Sequence, residues 1–332
     1  MPFGPRDPGT VVFLIESSPA NLDPRIGTDG QSEHIDELIF DGLVARDASF
    51  HFTPALAEHW EQPDPLTLVF HLRTGVRFHD GRSLAAADVL WTIDSMRSGA
   101  VISPKAAAYA SIKTIEAPND RTVILHLNHP DNFLLTNLST GAIGIVPAGS
   151  GRDFWQHPVG TGPFRFVSQQ IDRDVVVERN PLSWFVVPKI ERVRFAVVPD
   201  AITQSLELEK GSGDVAVNSL PMDSLPVLAA RPNLQVEDGS GTQIQYLAFN
   251  LHDPLLKDVR VRQPLPAPLT ATCSSRPCCA AMRSPPRVCC PSAIGPLPPM
   301  CRATITIRLA PRAYSMNPAI RPARMESVSI SP

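Results

Sequence analysis

The first 262 residues of this 332-residue chain predict a mixed α/β fold. Short segments rich in β-branched residues recur along them, segments with helical spacing of apolar residues lie between, and turn-forming residues separate the two kinds. Strands with intervening helices suggest a sheet that is packed on both faces. We therefore expect an α/β body with a sizeable core, as one large domain or two smaller ones.

Alternating or β-branched apolar runs mark the strands. The sequence predicts strands at residues 10–15, 66–72, 122–127, 164–167, 175–178, 193–198, 214–217 and 243–250. The fourth and fifth of these lie close enough in sequence to form a hairpin across residues 169–174. We find no internal repeat and no heptad pattern in the sequence.

Helical spacing of apolar residues marks three helices, at residues 34–43, 83–97 and 203–210. Gly42 is expected to end the first helix, and Asp36 and Glu37 near its start favour the helix dipole. Ser83 is the expected N-cap of the second helix, and Gly211 is expected to end the third.

The body is acidic, with 22 Lys and Arg against 32 Asp and Glu, a net charge of −10. This charge gives no electrostatic reason to expect nucleic acid or a membrane surface as a partner. The sequence has no run of 18 apolar residues, which a membrane-spanning helix would need. Residues 1–9 are expected to be disordered, and they lack the basic and apolar stretches of an export signal.

The composition changes abruptly after Gln263. Residues 263–332 contain all six cysteines, 14 of the 35 prolines, one acidic residue, eight arginines and no lysine, a net charge of +7. So few acidic and aromatic residues, among so many prolines, predict a disordered tail. The amino-acid composition of residues 263–332 therefore differs from that of the body in a way that a domain boundary alone does not explain.

A shift of reading frame after Gln263 accounts for this change. An amino acid largely fixes the first two bases of its codon, so a shifted reading can be tested against the sequence. Over residues 305–319 the shifted frame permits Tyr-Asp-Pro-Ala-Arg-Ala-Ala-Arg-Leu-Leu-Asp-Glu-Pro-Gly, a charged amphipathic helix that ends at glycine. The actual reading there is broken by proline and has no periodicity. We interpret residues 263–332 as an out-of-frame tail.

The alternative interpretation is a natural tail rich in proline and cysteine. Its cysteine pairs at 278–279 and 289–290 lack the C-x-x-C spacing of a zinc site. Its positive charge could attract anionic surfaces, but no aromatic residues are interleaved for stacking on bases. We therefore assign the tail neither a metal nor a nucleic-acid partner.

Two short motifs in the body could suggest chemistry. His-Asp-Gly at 79–81 could be a catalytic or metal pair, but neighbouring residues on a turn face different ways, and Asp-Gly is typical of turns. Gly-Thr-Gly at 160–162 lacks the Lys-Ser/Thr of a phosphate loop and runs into a strand, which favours a tight turn. The sequence contains no nucleophile elbow, so we expect no enzymatic activity, no catalytic residue and no cofactor.

Several other motifs occur in a collinear order that resembles one family. The stretches are Ala20-Asn21-Leu22-Asp23-Pro24, Phe40-Asp41-Gly42-Leu43, Pro54-Ala55-Leu56-Ala57-Glu58-His59-Trp60, Phe70-His71-Leu72-Arg73, Phe78-His79-Asp80-Gly81, Pro158-Val159-Gly160-Thr161-Gly162-Pro163-Phe164, Glu178-Arg179-Asn180-Pro181, Tyr246-Leu247-Ala248-Phe249-Asn250 and Val259-Arg260-Val261-Arg262-Gln263. From residue 10 to residue 263 the chain resembles the solute-binding proteins of peptide-type ABC importers, called family 5, which bind dipeptides, oligopeptides or nickel. The shifted-frame text resembles the second lobe of the same family.

The resemblance implies a periplasmic-binding-protein-like fold of class II, in which two lobes close over a ligand. Residues 10–262 would be the first lobe, and the second lobe would be missing from the tail at 263–332. The implied function is capture of a small peptide or similar solute for the permease subunits of an ABC transporter, outside the cytoplasm, by a monomer. A truncated chain would be impaired in this function. A single-lobe scaffold or interaction protein is the alternative, and a hydrolase is less favoured.

The resemblance also directs attention to five possible ligand contacts. Thr28 and Asp29 follow the Leu-Asp-Pro turn, where the first lobe of the family faces its ligand. Tyr109 lies in a segment that lines the cleft in relatives, and Gln243 and Tyr246 lie on the strand that approaches the hinge. A peptide cleft needs backbone groups, a carboxylate and aromatic walls, and these residue types could supply part of that set. No metal ligand is assigned.

Overall fold

The computed structural model describes residues 9–239 and 250–262, and the backbone of 304–309. The strands are β1 (Thr10–Ile15), β2 (Val44–Arg46), β3 (Phe52–Pro54), β4 (Ala57–Asp64), β5 (Thr67–Leu72), β6 (Ile112–Asn119), β7 (Thr122–Leu127), β8 (Phe164–Gln170), β9 (Asp174–Arg179), β10 (Arg192–Val197), β11 (Val215–Val217), β12 (Leu234–Gly239) and β13 (Thr304–Leu309). The α-helices are α1 (Gly30–Ile39), α2 (Ala86–Arg97), α3 (Leu134–Asn137), α4 (Ala201–Lys210), α5 (Leu225–Ala229) and α6 (Val259–Arg262). Short 3₁₀ helices lie at Ala106–Tyr109, Phe154–Gln156 and Met222–Ser224.

The chain divides into two units, Met1–Ser219 and Leu220–Pro332. The first unit contains a mixed sheet in the order β11-β1-β10-β9-β8. Strand β1 is parallel to β10 and β11, whereas β8, β9 and β10 are antiparallel neighbours. Buried residues of α1 pack in one cluster with this sheet, among them Ile35, Ile39, Val177 and Phe195. The predicted α/β body is confirmed.

A second, antiparallel sheet in the first unit has the order β4-β5-β7-β6. Burial alternates strictly along β5 and β7, so one face of the sheet is inside and the other is outside. The inner face forms a core with α2 that includes Phe70, Leu125, Val89 and Ile93. The outer face carries polar residues and is partly exposed.

The second unit contains helices α5 and α6 and the strands β12 and β13. Strand β13 lies within the predicted tail and pairs with β12 in antiparallel register, from Leu234↔Leu309 to Gly239↔Thr304. For these six residues the structure therefore differs from the expected disorder. The rest of 263–332, residues 1–8 and the predicted strand residues 243–249 lie outside the described residues. Among the described helices, none is long and apolar enough to cross a membrane.

The first predicted helix is displaced in the structure. We predicted residues 34–43, but α1 spans Gly30–Ile39 because the Asp29 carboxylate accepts a hydrogen bond from the Ser32 amide at 2.9 Å and caps the helix. Asp36 is therefore in the body of the helix and not near its start. Gly42 does not end the helix either, because Phe40 is the C-cap residue and its amide donates to the Asp36 carbonyl oxygen at 2.7 Å.

The second predicted helix begins three residues later than we expected. Ser83 is not the N-cap, since α2 begins at Ala86 after the cap residue Ala85. The Asp88 carboxylate accepts the Ala85 amide at 2.8 Å, so the N3 residue caps the helix from inside. Strands 10–15 and 122–127, the 164–178 hairpin and the end of α4 at Gly211, with φ of +79°, are confirmed.

The Gly-Thr-Gly motif is a packing turn. The turn passes so close to the end of α1 that a Cβ on Gly160 would be 1.9 Å from the Ile39 carbonyl oxygen. His79 holds it from the other side, because its Nδ1 accepts the Gly160 amide at 3.2 Å and its Nε2 is 3.1 Å from the Gly162 oxygen. Burial lowers the pKa of His79 to about 4, so the ring is neutral at pH 7. A neutral ring can accept a hydrogen bond through Nδ1 and donate one through Nε2.

A buried ion pair holds the loop that follows β1. Arg25 and Asp23 are both fully buried, and the guanidinium donates two parallel hydrogen bonds to the carboxylate, at 2.9 and 2.7 Å. The same guanidinium donates to Ser95 Oγ in α2 at 3.2 Å and to the carbonyl oxygens of Ser150 and Gly151 at 3.1 and 3.2 Å. Arg25 therefore joins three separate segments of the first unit.

A second buried carboxylate has no such partner among the described residues. Both oxygens of Asp36 are buried without a hydrogen bond, beside a cavity of about 10 Å³ that has room for one water at most. Burial raises the pKa of Asp36 well above its ordinary value, although the Lys105 ammonium nearby opposes the rise. Lys105 itself donates to the Pro24 and Ala142 carbonyl oxygens.

We predict that Arg25→Met destabilises the fold by about 3–5 kcal/mol, because it leaves the Asp23 charge buried without its partner. Urea denaturation of the full chain measures the change. The double variant Arg25→Met with Asp23→Asn should recover part of the loss, since no buried charge then remains. A double variant as unstable as Arg25→Met alone would contradict this explanation.

We predict that Asp36→Asn stabilises the protein at pH 7 by about 1 kcal/mol or more, because a buried carboxylate without hydrogen bonds is removed. The pKa of Asp36 is higher in the folded state than in the unfolded state. Below its ordinary pKa the group is protonated in both states and does not reduce the free energy of unfolding. As the pH rises from there towards the folded-state pKa, the group destabilises the fold progressively more. The gain, roughly 2–4 °C in Tm, should therefore vanish near pH 3. Exposed Asp153 is the control, and equal effects of Asp153→Asn would contradict the prediction.

Candidate ligand groove

A groove of about 500 Å³ opens on the first unit beside the loop that follows β1. Seven residues line it: Ser18, Pro19, Ala20, Asn21, Trp155, Gln169 and Ile171. They come from three segments, namely the loop after β1, the 3₁₀ helix Phe154–Gln156, and the tip of the β8–β9 hairpin. Its volume lies in the range of pockets that bind small molecules, about 300–1,000 Å³.

The loop wall of the groove is fixed by the N-terminus of α1. The Ala20 amide donates to Asp29 Oδ2 at 3.2 Å, and the Asn21 amide donates to Ser32 Oγ at 3.2 Å. Burial would raise the pKa of Asp29, but the hydrogen bonds from Ser32 and Ala20 lower it below its ordinary value. An ionised Asp29 therefore caps the helix and holds the loop with the same side chain.

The hairpin wall is tied to the same loop. Asp172, at the hairpin tip, has a left-handed backbone with φ of +57°, which Asp tolerates better than most residues. Its amide donates to Ser18 Oγ at 2.7 Å, and the Ser18 hydroxyl lies 3.4 Å from Asp172 Oδ1. These contacts place Gln169 and Ile171 across the groove from the loop.

The aromatic wall depends on the Arg25 network. Trp155 is half-buried and follows Phe154, whose ring lies 5.6 Å from the Arg25 guanidinium carbon and 6.0 Å from the Phe40 ring centroid. The segment just before it, at Ser150 and Gly151, accepts hydrogen bonds from Arg25. Arg25 therefore positions Trp155 against the groove from behind.

The lining of the groove combines apolar surface with uncharged polar groups. Trp155, Pro19 and Ile171 offer apolar surface, whereas Ser18, Asn21 and Gln169 offer hydroxyl and amide groups. None of the seven lining side chains is charged. Apolar walls with a few polar groups suit a small solute that carries both apolar and hydrogen-bonding parts.

Two predicted ligand contacts, Thr28 and Asp29, do not line this groove. Thr28 is exposed at the start of α1, and Asp29 holds the loop that lines the groove without being a lining residue itself. Their direct contact with a ligand stays a prediction.

Of the other three predicted contacts, only Tyr109 is among the described residues, and it does not line the groove. Tyr109 is 1% exposed, packs in the core beneath the second sheet, and donates its hydroxyl hydrogen to the Asn137 carbonyl oxygen at 2.7 Å. Burial raises the pKa of its phenol, and almost none of the ring is accessible to a ligand. Gln243 and Tyr246 lie outside the described residues. The roles of all three stay predictions.

Sequence reasoning missed the side chains that line the groove. The hairpin crossing at 169–174 was recognised, but only as a connection between strands. Trp155 belongs to a short 3₁₀ helix that has no apolar periodicity to reveal it. A loop after the first strand and a half-buried tryptophan become a site only when the fold brings them together.

The chain matches the sequence model of a known family, the bacterial extracellular solute-binding proteins, family 5 Middle, over residues 51–265. Among curated proteins it is 28% identical over 285 residues to Heme-binding protein A of Haemophilus influenzae, covering 77% of this chain and 52% of that protein. It is 31% identical over 288 residues to Di/tripeptide-binding protein 1 of Pseudomonas aeruginosa, covering 77% and 53%. The chain thus spans about half the length of the curated relatives that it matches.

Solved structures share the fold. NikZ from Campylobacter jejuni in complex with Ni(L-His) superposes with a TM-score of 0.71 at 27% identity, covering 78% of this chain and 53% of that one. DppA from Helicobacter pylori in complex with the peptide STSA gives 0.69 at 27% identity, covering 76% and 55%. The predicted periplasmic-binding-protein fold is confirmed by these likenesses. This chain belongs to the bacterial extracellular solute-binding proteins of family 5.

Proposed function

We propose that this chain is the solute-capturing lobe of the substrate-binding component of an ABC importer, and that its ligand is a small peptide or a similar solute. The permease subunits of the importer are the expected partner, and the expected location is outside the cytoplasm. Family membership supports this class of function, since the relatives are binding proteins and not enzymes.

The groove is the observation that carries the proposal. It is large enough for a small ligand, its lining side chains are uncharged, and hydrogen bonds behind the surface hold its apolar and amide-bearing walls. A peptide offers the matching chemistry, because its backbone forms hydrogen bonds and its side chains bury apolar surface. An open groove, however, leaves one face of the ligand in water, so tight capture needs a second wall.

We also propose that residues after Gln263 are read out of frame and do not supply that second wall. The family match ends at residue 265, two residues beyond the point where the composition changes. The matched relatives are about twice as long as the part that this chain covers. A first lobe without that second wall would bind weakly, because one face of the ligand stays in water.

We predict that restoring the frame after Gln263 converts a weak binder into a tight one, because a closed site buries about 70–90% of a small ligand. Sequencing the DNA around codon 263 should show one base in excess or missing. A thermal-shift screen of both chains against di- and tripeptides, sugars and nickel complexes then measures binding. A ligand at a hundredfold excess over Kd stabilises the protein by about 2.7 kcal/mol. Equal binding by the two chains would refute the impairment.

We predict that Trp155→Ala weakens peptide binding by the frame-restored chain about 30-fold, the effect of losing an aromatic contact worth about 2 kcal/mol. Titration calorimetry with the peptide identified in the screen measures the affinity. Phe133→Ala is the matched control, because Phe133 is an aromatic residue that is 74% exposed and does not line the groove. Unchanged affinity of Trp155→Ala would place the ligand elsewhere.

A further inference from the structure

Two histidines face each other on the outer side of the second sheet. In the β4–β5 register His59 is paired with His71, and their rings stack with centroids 4.2 Å apart and planes 13° from parallel. Trp60 and Phe70, the next pair, point to the core side, so the two imidazoles point away from the core. Glu61 follows on the same side as His59, two residues along β4.

These three side chains form a ligand set. One ligand atom from each of His59, Glu61 and His71 lies within 4.8 Å of the others, and His71 Nε2 is 3.5 Å from Glu61 Oε1. Zinc bonds of 2.0–2.2 Å in tetrahedral geometry put ligand atoms roughly 3.4 Å apart. Small side-chain rotations therefore bring the three atoms onto one ion. Partial exposure, 32% for His71 and 63% for Glu61, leaves room for those rotations and for an ion to enter.

We propose that His59, Glu61 and His71 bind a divalent first-row cation of the zinc type, with solvent in the fourth position. Two imidazoles and one carboxylate are a set that suits Zn²⁺, because nitrogen and oxygen donors of this kind match its borderline softness. The ligands come from two adjacent strands, so the ion clamps β4 to β5. None of them lines the groove, and the site is separate from solute capture.

The same sheet provides an internal control. On β6 and β7, His126 Nε2 lies 3.4 Å from Glu116 Oε1, nearly the same spacing as in the His71–Glu61 pair. Among the described residues, however, no third ligand joins that pair, whereas His59 completes the first one. Two ligands hold an ion far less well than three. Comparing the loss of zinc affinity on mutation of His71 with the loss on mutation of His126 therefore measures the effect of the third ligand.

The test is calorimetric titration of the full chain with ZnCl₂. The six cysteines are alkylated first, so that thiolates do not compete for the ion. We expect one site, weakened about tenfold or more by His59→Ala, by His71→Ala or by the isosteric Glu61→Gln, since loss of even a second-shell partner costs that much. His126→Ala should leave the affinity unchanged. Circular dichroism verifies that each variant is folded.

A spectroscopic measurement identifies the donors directly. Cu²⁺ bound to the alkylated chain should show hyperfine coupling to two imidazole nitrogens, and the His59→Ala variant should show one. The proposal is overturned if ZnCl₂ gives no saturable binding, or if the His59→Ala and His71→Ala double variant binds as well as the unchanged chain. Equal losses in His126→Ala and His71→Ala would also overturn it, because the ion would then lack a preference for the three-ligand set.

Discussion

The groove depends on one buried ion pair. Arg25 holds Asp23 with two hydrogen bonds, and in doing so it fixes the loop that supplies one wall of the groove. The same guanidinium binds the backbone at Ser150 and Gly151 and lies over Phe154, which positions Trp155 in another wall of the groove. A planar fork with several donors is needed for this, so lysine could not replace it.

A buried pair of this kind contributes more to geometry than to net stability, because desolvating two charges offsets much of their attraction. The effect of the Arg25 contacts is to hold three segments that are far apart in sequence in one fixed relative position. Asp29 does the same on a smaller scale, since one carboxylate caps α1 and holds the Ala20 amide. Neutral His79 holds the turn at Gly160 against the end of α1. The polar contacts of Arg25 and Asp29, which lie behind the surface, thus shape the groove.

The sequence predicts the strands with clear alternation and the three longest helices, because periodicity and turn residues are local signals, but it does not predict the strands β2, β3, β4, β6 and β12. Strands 10–15 and 122–127 and the end of α4 at Gly211 follow from such signals. The start of α1 was wrong because Asp29 caps the helix where apolar spacing is weak, and the start of α2 was wrong because Asp88 caps from inside. The groove and the His59–His71 pair depend on register and on contacts across more than a hundred residues or between strands, which no local pattern contains.

The character of the groove limits what this lobe can select. Its lining offers hydroxyl, amide and apolar groups but no charged side chain. The charge of Asp29 is stabilised by hydrogen bonds from the helix start and the loop, and does not face the groove. Under the proposed function, the charged ends of a peptide must therefore find their partners outside these seven residues. This wall would accept the middle of many short peptides, and discrimination by charge or length would have to come from whatever closes over it.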